Sequence, residues 1–229
     1  CVEFNRLYGK FDDQFLHALS VINEYLAFHL DRKYTFPDNF NQIINDSKSL
    51  LEISGNYSSE QIVMNNQEYF SYSREDFKKF SNSRKSLRNF SSIEVKLDDI
   101  KLALNLASNA PSACNRQAWR TYVYTEQDHI KSILKTQGGN RGFGHLVNKL
   151  RGGTADLKLV FDKHERNQAF LDGGIYAMNL LYGLHYYEIG ACILNCSHDK
   201  QKDIQLRKKC NISESEVFIA MVGCGIPPD

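Results

Sequence analysis

Neither charge is in surplus: 28 Lys and Arg stand against 27 Asp and Glu over 229 residues. That balance removes the electrostatic reason to expect nucleic acid or an anionic membrane as a partner. Long apolar runs are missing too. The most apolar stretch, Val217 to Val222 with its flanks, falls far short of the ~18 consecutive apolar residues of a membrane helix. The six cysteines, Cys1, Cys114, Cys192, Cys196, Cys210 and Cys224, form no Cys-x-x-Cys pair and no Cys/His cluster at zinc spacing, so no metal is expected. Nucleotide fingerprints fail as well: Gly142-Phe143-Gly144 is followed by Val147 where a third glycine belongs, and no Gly-Lys-Ser/Thr is present. What remains, 42% hydrophobic and 24% charged, is the composition of one large domain with an appendage. A chain of this size needs no disulfide framework, so the cysteines read as buried thiols in a reducing compartment and the protein as cytoplasmic. It opens at Cys1 rather than Met, which reads as a trimmed start.

Residues 1–81 differ in texture from the rest. They hold only Gly9 and Gly55, with many Asn, Ser, Phe and Tyr, and read as a helical extension. Phe15, Leu19, Ile22, Leu26 and His29 make one helical stripe; after Pro37-Asp38, Phe40, Ile43, Ile44, Leu50 and Leu51 make a shorter one, ended by Ser54-Gly55-Asn56. Residues 58–83, with Phe70, Phe77 and Phe80, read as a wrapping segment anchored by aromatics, which places a boundary near Ser81. From 82 to 229 helix and strand alternate. Helices are predicted over 96–108, 128–136, 167–188 and up to 209, the third of them buried and central. Strands are predicted over 119–125, 155–161, 190–194 and 216–223. Alternation without a repeat period predicts a layered α+β domain.

Two segments carry chemistry. In Ser83-Arg84-Lys85-Ser86-Leu87-Arg88-Asn89-Phe90, an extended backbone aims Arg84, Ser86 and Arg88 one way, and guanidinium forks with a hydroxyl suit a phosphate. Read alone, such a run is solvated surface. Residues 111–119, Pro-Ser-Ala-Cys-Asn-Arg-Gln-Ala-Trp, can press backbone N–H groups and amides against a planar heterocycle, or can simply connect. Cys114 lacks the surroundings of a catalytic cysteine. Asp156, Asp162, Glu165 and Asp172 form no paired-carboxylate set and read as surface or capping groups.

In their order these pieces resemble the nitroreductase family of FMN-dependent oxidoreductases. The resemblance rests on Arg84, Ser86, Arg88 and Phe90, and on Ala110-Pro111-Ser112 with Asn115-Arg116-Gln117-Ala118-Trp119. It continues through Gly139-Asn140-Arg141-Gly142-Phe143, Asp172-Gly173-Gly174-Ile175 and Ile189-Gly190-Ala191-Cys192 with Leu194-Asn195, and closes at Gly223-Cys224-Gly225-Ile226-Pro227. The extension resembles that of members linked to bacterial surface-polysaccharide genes.

The resemblance implies a three-layer sandwich with a mixed, mainly antiparallel sheet. It also implies a homodimer with FMN at the subunit interface and ping-pong hydride transfer from NADH or NADPH to a small organic acceptor. By the same resemblance Arg84 and Ser86 hold the phosphate, and Lys85 and Arg88 lie nearer the ribityl chain and pyrimidine edge. Pro111, Ser112, Ala113, Asn115 and Gln117 come from the partner subunit, and Leu194, Asn195 and Cys196 meet the flavin's N5 side. Arg88 and Asn195 are the catalytic candidates, and Asn140, Arg141 and Phe143 line the open face for substrate. Two departures stand out. No basic residues follow Gly225-x-Pro227 before Asp229 to help hold the phosphate, and Gly144 stands where many members carry a flavin-binding Asn. The alternative reading is a non-catalytic flavin-binding or interaction protein associated with surface-polysaccharide biosynthesis.

Overall fold

The computed structural model describes residues 13–46, 50, 62–161 and 163–229. The chain divides into two compact units, Cys1–Val63 and Met64–Asp229. In the first, helices α1 (Asp13–Asp31) and α2 (Asp38–Asp46) follow the two stripes read from the sequence. Phe15 and Leu19 are buried, with Ile22, Leu26, Ile44 and Leu50 packed against them. Leu51, the Ser54-Gly55-Asn56 stop and the start of the wrapping segment lie outside the described residues.

The larger unit begins at Met64, ahead of the boundary read near Ser81. Its first helices, α3 (Asn66–Phe70) and α4 (Phe77–Ser83), carry rings that gather on one later histidine. Tyr69, Phe70 and Phe80 stand with ring centroids 5.5, 5.6 and 5.4 Å from that of His185. Of the three aromatic anchors expected, Phe77 is exposed. Helix α5 (Leu97–Ala107), with Asp98 and Asp99 favourably placed in its first turn, precedes strand β1 (Trp119–Tyr124) and helix α6 (Gln127–Gln137). Then come β2 (Lys149–Asp156), the long α7 (Gln168–Tyr186), β3 (Gly190–Asn195), α8 (Lys200–Cys210) and β4 (Glu216–Gly225). Asp199 caps α8 by accepting from Lys202 N, and Asn211, at φ 53, closes it in the left-handed conformation.

The four strands form one antiparallel sheet in the order β1-β2-β4-β3. Side chains alternate across it, which gives it two dry faces. Tyr124, Leu150, Leu194 and Met221 pack with Ile130, Ile133 and Leu134 of α6 and Leu206 of α8. Ala191, Val222 and Cys224 pack with Ile100 and Ala103 of α5 and Leu180, Leu181 and Leu184 of α7. The result is the expected α+β sandwich of helices, sheet and helices.

Two corrections concern α7 and β2. The second strand lies at 149–156, not 155–161. Residues 157–159 are a short 3-10 turn, with Leu157 and Phe161 exposed, while the buried run Lys-Leu-Arg-Gly-Gly-Thr is polar enough to hide its strand character. Helix α7 is central but not wholly covered: Phe170, Leu171, Ile175 and Met178 are exposed, as are Leu102 and Leu106 of α5. Asp128 also sits inside the first turn of α6 and pairs with Lys131 rather than capping.

Candidate active site

Residues 84–90 run as extended chain beside the edge strand β3. Leu87 N–H donates to Ala191 O at 2.9 Å, the Tyr69 hydroxyl donates to Lys85 O at 2.7 Å, and Ser91 N–H donates to Ile226 O at 2.7 Å. Glycine is required on both sides of this lane. A Cβ on Gly190 would stand 2.2 Å from Leu87, and one on Gly225 would stand 2.6 Å from Phe90. With Leu87 and Phe90 turned inward, Lys85, Ser86 and Arg88 are exposed and Arg84 is half-buried. Among the described residues neither Arg84 nor Arg88 forms an ion pair. Arg88 lies beside the Cys192 thiol, which burial pushes up and Arg88 and Arg84 pull back down. Two guanidiniums without an ion pair and a hydroxyl on a pinned strip are a donor set for an anionic ligand, and this fits the phosphate and the electron-rich edge of a flavin mononucleotide.

The 111–117 loop is built differently. Cys114, Asn115 and Gln117 all hold positive φ, at 51°, 54° and 50°, a conformation that L side chains rarely adopt. The fold enforces it. Buried Asp172 on α7 accepts from Ala113 N–H at 3.1 Å and from Gln168 Nε2 at 2.6 Å. Ser112 Oγ accepts from Gln117 N–H at 3.0 Å, and Arg116 donates to Glu165 at 2.9 Å. Asp172 and Glu165, read from sequence as surface or capping groups, are thus the loop's anchors; Asp156 does cap, accepting from Lys158 N, and Asp162 lies outside the described residues. The signal for Asp172 was its place in an apolar helix, where an acid needs a partner.

Within one chain this loop and the Arg84–Arg88 strip are far apart. The loop leads into β1 at one edge of the sheet, and the strip lies beside β3 at the other. Four lane spacings, the last from β3 to the strip, and about five residues of strand separate the two, roughly 25 Å. The third group, Leu194, Asn195 and Cys196, ends β3. Leu194 and Cys196 side chains are buried, and the Asn195 amide oxygen accepts from Ser197 N–H at 2.6 Å. Asn195 O accepts from Gln137 Nε2 at 2.8 Å. Buried Gln137, which the sequence reading missed, also accepts from Gly139 N–H and Asn140 Nδ2, so it ties the glycine loop to the strand end.

Two of the three substrate candidates need correction. Phe143 is buried in the core beside Phe90, with centroids 6.5 Å apart, and lines no open face. Asn140 turns inward, donating to Leu134 O at 2.6 Å, and its amide fills the space a side chain at position 144 would need. Arg141 is exposed.

Residues 82–226, which contain the strip, the strained loop and the strand end, match the model of the Nitroreductase family. The chain belongs to the nitroreductase family. A provisionally named NADH dehydrogenase/NAD(P)H nitroreductase of Archaeoglobus fulgidus is 26% identical over 150 residues, which is 64% of this chain and 83% of the relative. Two solved structures share the nitroreductase fold. An FMN-dependent nitroreductase of Clostridium difficile R20291 aligns with a TM-score of 0.55 at 18% identity, over 64% of this chain and 84% of that one. A nitroreductase family protein of Clostridium novyi NT aligns at 0.58 and 16%, over 67% and 86%.

Proposed function

We propose that this nitroreductase-family chain is an FMN-dependent oxidoreductase that works as a homodimer. It takes electrons from NADH or NADPH and passes them, by a ping-pong cycle, to a small nitroaromatic- or quinone-like acceptor. The observation that carries the reading is the pair of guanidiniums without an ion pair, Arg84 and Arg88, on a strip pinned between β3 and the C-terminal segment inside the family match. The names of two relatives, one FMN-dependent and one NAD(P)H-linked, support the cofactor and the electron donor. The free cysteines, four of them buried, support a reducing, cytoplasmic setting.

Bound FMN supplies the two-electron chemistry that the side chains lack. Arg84 and Ser86 hold its phosphate by charge-assisted hydrogen bonds. Arg88 would place a fixed positive charge beside the ring, where it would stabilise the negative charge of the reduced flavin. Lys85 adds charge near the ribityl chain. The pinned strand end at Leu194, Asn195 and Cys196 offers backbone rather than side-chain contacts. Arg141 remains free for the nicotinamide or acceptor side.

Two subunits are needed because the clamp and the strip occupy opposite corners of one sheet. A partner brings its own Pro111, Ser112, Ala113, Asn115 and Gln117 to the strip of the first chain. The exposed apolar residues of α5 and α7 supply the surface that association would bury.

The test is the absorption spectrum of the purified protein with and without NADH and NADPH. Loss of the flavin band at about 450 nm, and its return with a quinone or nitroaromatic, is the expected result. A flavin band that neither nucleotide bleaches would refute the enzyme reading in favour of a flavin-binding interaction protein. Absence of flavin after reconstitution would refute both.

A further inference from the structure

The two residues that flank Arg84 are each held by a side chain from outside the strip. On one flank, Ser83 Oγ lies 2.8 Å from Phe80 O and 2.7 Å from His185 Nε2. A hydroxyl has one hydrogen and a carbonyl can only accept, so that hydrogen goes to Phe80 O and the imidazole donates from Nε2. Its Nδ1 is buried without a partner. A second proton there would be unpaired among aromatic rings, so the ring is neutral. On the other flank, the Tyr69 hydroxyl donates to Lys85 O at 2.7 Å, and the Tyr69 ring meets that of His185 edge-on. The charge of Arg84 reaches both anchors. Burial raises the pKa of Tyr69 and Arg84 opposes it, whereas burial and then Arg84 both lower that of His185.

Tyr69 belongs to a segment of this chain that the family match does not cover. Residues 64–81 precede the match at 82–226, yet they are part of the same compact unit. Helix α3 opens with a capping box between Asn65 and Glu68, and Asn66 N–H donates to Pro228 O at 3.0 Å. Arg74 lies over the ring of Tyr186 on α7 at 3.8 Å. The segment therefore grips the C-terminal residues and the end of α7, the same two elements that hold the strip through Ser91 and Ser83. None of the groups on either flank of Arg84 is an acid. A carboxylate could also position a guanidinium, but it would compete with an anionic ligand for the same donors. A phenol, a hydroxyl and a neutral imidazole fix the backbone and leave those donors open.

We propose that residues 64–83 are a brace for the cationic strip, and that Tyr69 and His185 are positioning residues that hold Arg84 ready for the flavin phosphate. The inference rests on the flavin reading of the strip. On a loose strip, phosphate binding would first have to order Ser83 to Lys85; the brace meets that cost at folding. Its effect belongs to the phosphate and not to the ring.

The experiment compares FMN with riboflavin, which lacks the phosphate, by fluorescence titration of the full chain freed of flavin. Tyr69→Phe keeps the ring and removes one hydroxyl. Its FMN dissociation constant should rise roughly three- to tenfold, the size of one hydrogen bond, while that for riboflavin stays at the wild-type value. Ser83→Ala unties the other flank and should act the same way. In an Arg84→Ala background neither change should weaken FMN further, because both act through that side chain. A merely structural role would weaken both flavins and would persist without Arg84. A wild type that binds FMN no more tightly than riboflavin would refute the phosphate reading of the strip, and the brace with it. A wild type that prefers FMN, with the preference unchanged in Tyr69→Phe or Ser83→Ala, or with losses that persist in Arg84→Ala, would overturn the brace alone.

Discussion

Replacing His185 with Phe should flatten the acid limb of the stability profile. His185 is 1% exposed on α7, enclosed by the rings of Tyr69, Phe70 and Phe80. Its Nε2 lies 2.7 Å from Ser83 Oγ, and its Nδ1 is buried without a partner. Protonation would place a second N–H among aromatic carbons with nothing to accept it. Burial first, and then the neighbouring Arg84 charge, pull its pKa down from 6.5 to about 4. The unfolded chain therefore binds the extra proton more readily than the folded one. The contribution is fully present above the unfolded value, near 6.5, and is lost as pH falls toward the folded value. The shift corresponds to about 3 kcal/mol across that window, at no more than about 1.4 kcal/mol per pH unit. Phe keeps the ring packing and removes the titration. Urea unfolding at half-unit steps from pH 4 to 7.5 measures both proteins. His198, also pulled down by burial, titrates in both, so the difference between the curves isolates His185. Parallel curves for wild type and His185→Phe would refute the assignment of the slope to this imidazole.

Other outcomes follow from the site. Arg84→Ala removes a charge-assisted phosphate contact of about 1.5–3 kcal/mol, so FMN affinity should fall roughly ten- to hundredfold in a fluorescence titration; an unchanged affinity contradicts the phosphate role. Arg88→Ala should lower the flavin's midpoint potential and slow its reduction by NAD(P)H, with a smaller loss of affinity than in Arg84→Ala; potential and rate both unchanged would return Arg88 to ordinary surface charge. Asp172→Ala releases Ala113 N–H and Gln168, and should cost about 2–4 kcal/mol in urea unfolding while opening the 111–117 loop to protease; wild-type stability with an intact loop would show that the anchor is idle. Ile175→Glu, on the exposed stripe of α7, should shift sedimentation from dimer to monomer and lose flavin with it; a flavin-loaded monomer would break the shared-site reading.

Helices α1, α2 and α5 to α7 and three of the strands were legible because their apolar residues recur at the period of the element, whereas α3 and α4 lie in the stretch read only as a wrapping segment. The Arg84–Arg88 strip was legible because three donors alternate along an extended run. Strand β2 was not. Lys149 and Arg151 are buried charges, and Gly152-Gly153 erases the alternation, so the pattern moved downstream to exposed Leu157 and Phe161. What makes β2 a strand is supplied from elsewhere, by ladders to β1 and β4 and by Glu94, 55 residues away, on Lys149. Phe143 failed for a related reason. A glycine loop suggests an open rim, yet its phenylalanine closes onto Phe90 and the core. Partners distant in sequence leave no local trace.

The same reasoning explains why the 111–117 loop takes the form it does. A connector between α5 and β1 has no need of three non-glycine residues in the left-handed region, each costing about 1 kcal/mol or more. That cost is offset by contacts that come from α7, through Asp172, and from the segment before it, through Glu165. Such a loop is fixed before any ligand arrives, so a planar ring meeting it would not have to order it first. Yet the cationic strip it would serve lies beyond the far edge of its own sheet, roughly 25 Å away. A rigid clamp with no local use, and a cationic strip with no local clamp, become one site only when a second chain supplies the missing half of each. In the proposed dimer, association is then what would assemble the active site, and the exposed apolar residues of α5 and α7 are the surface it would bury.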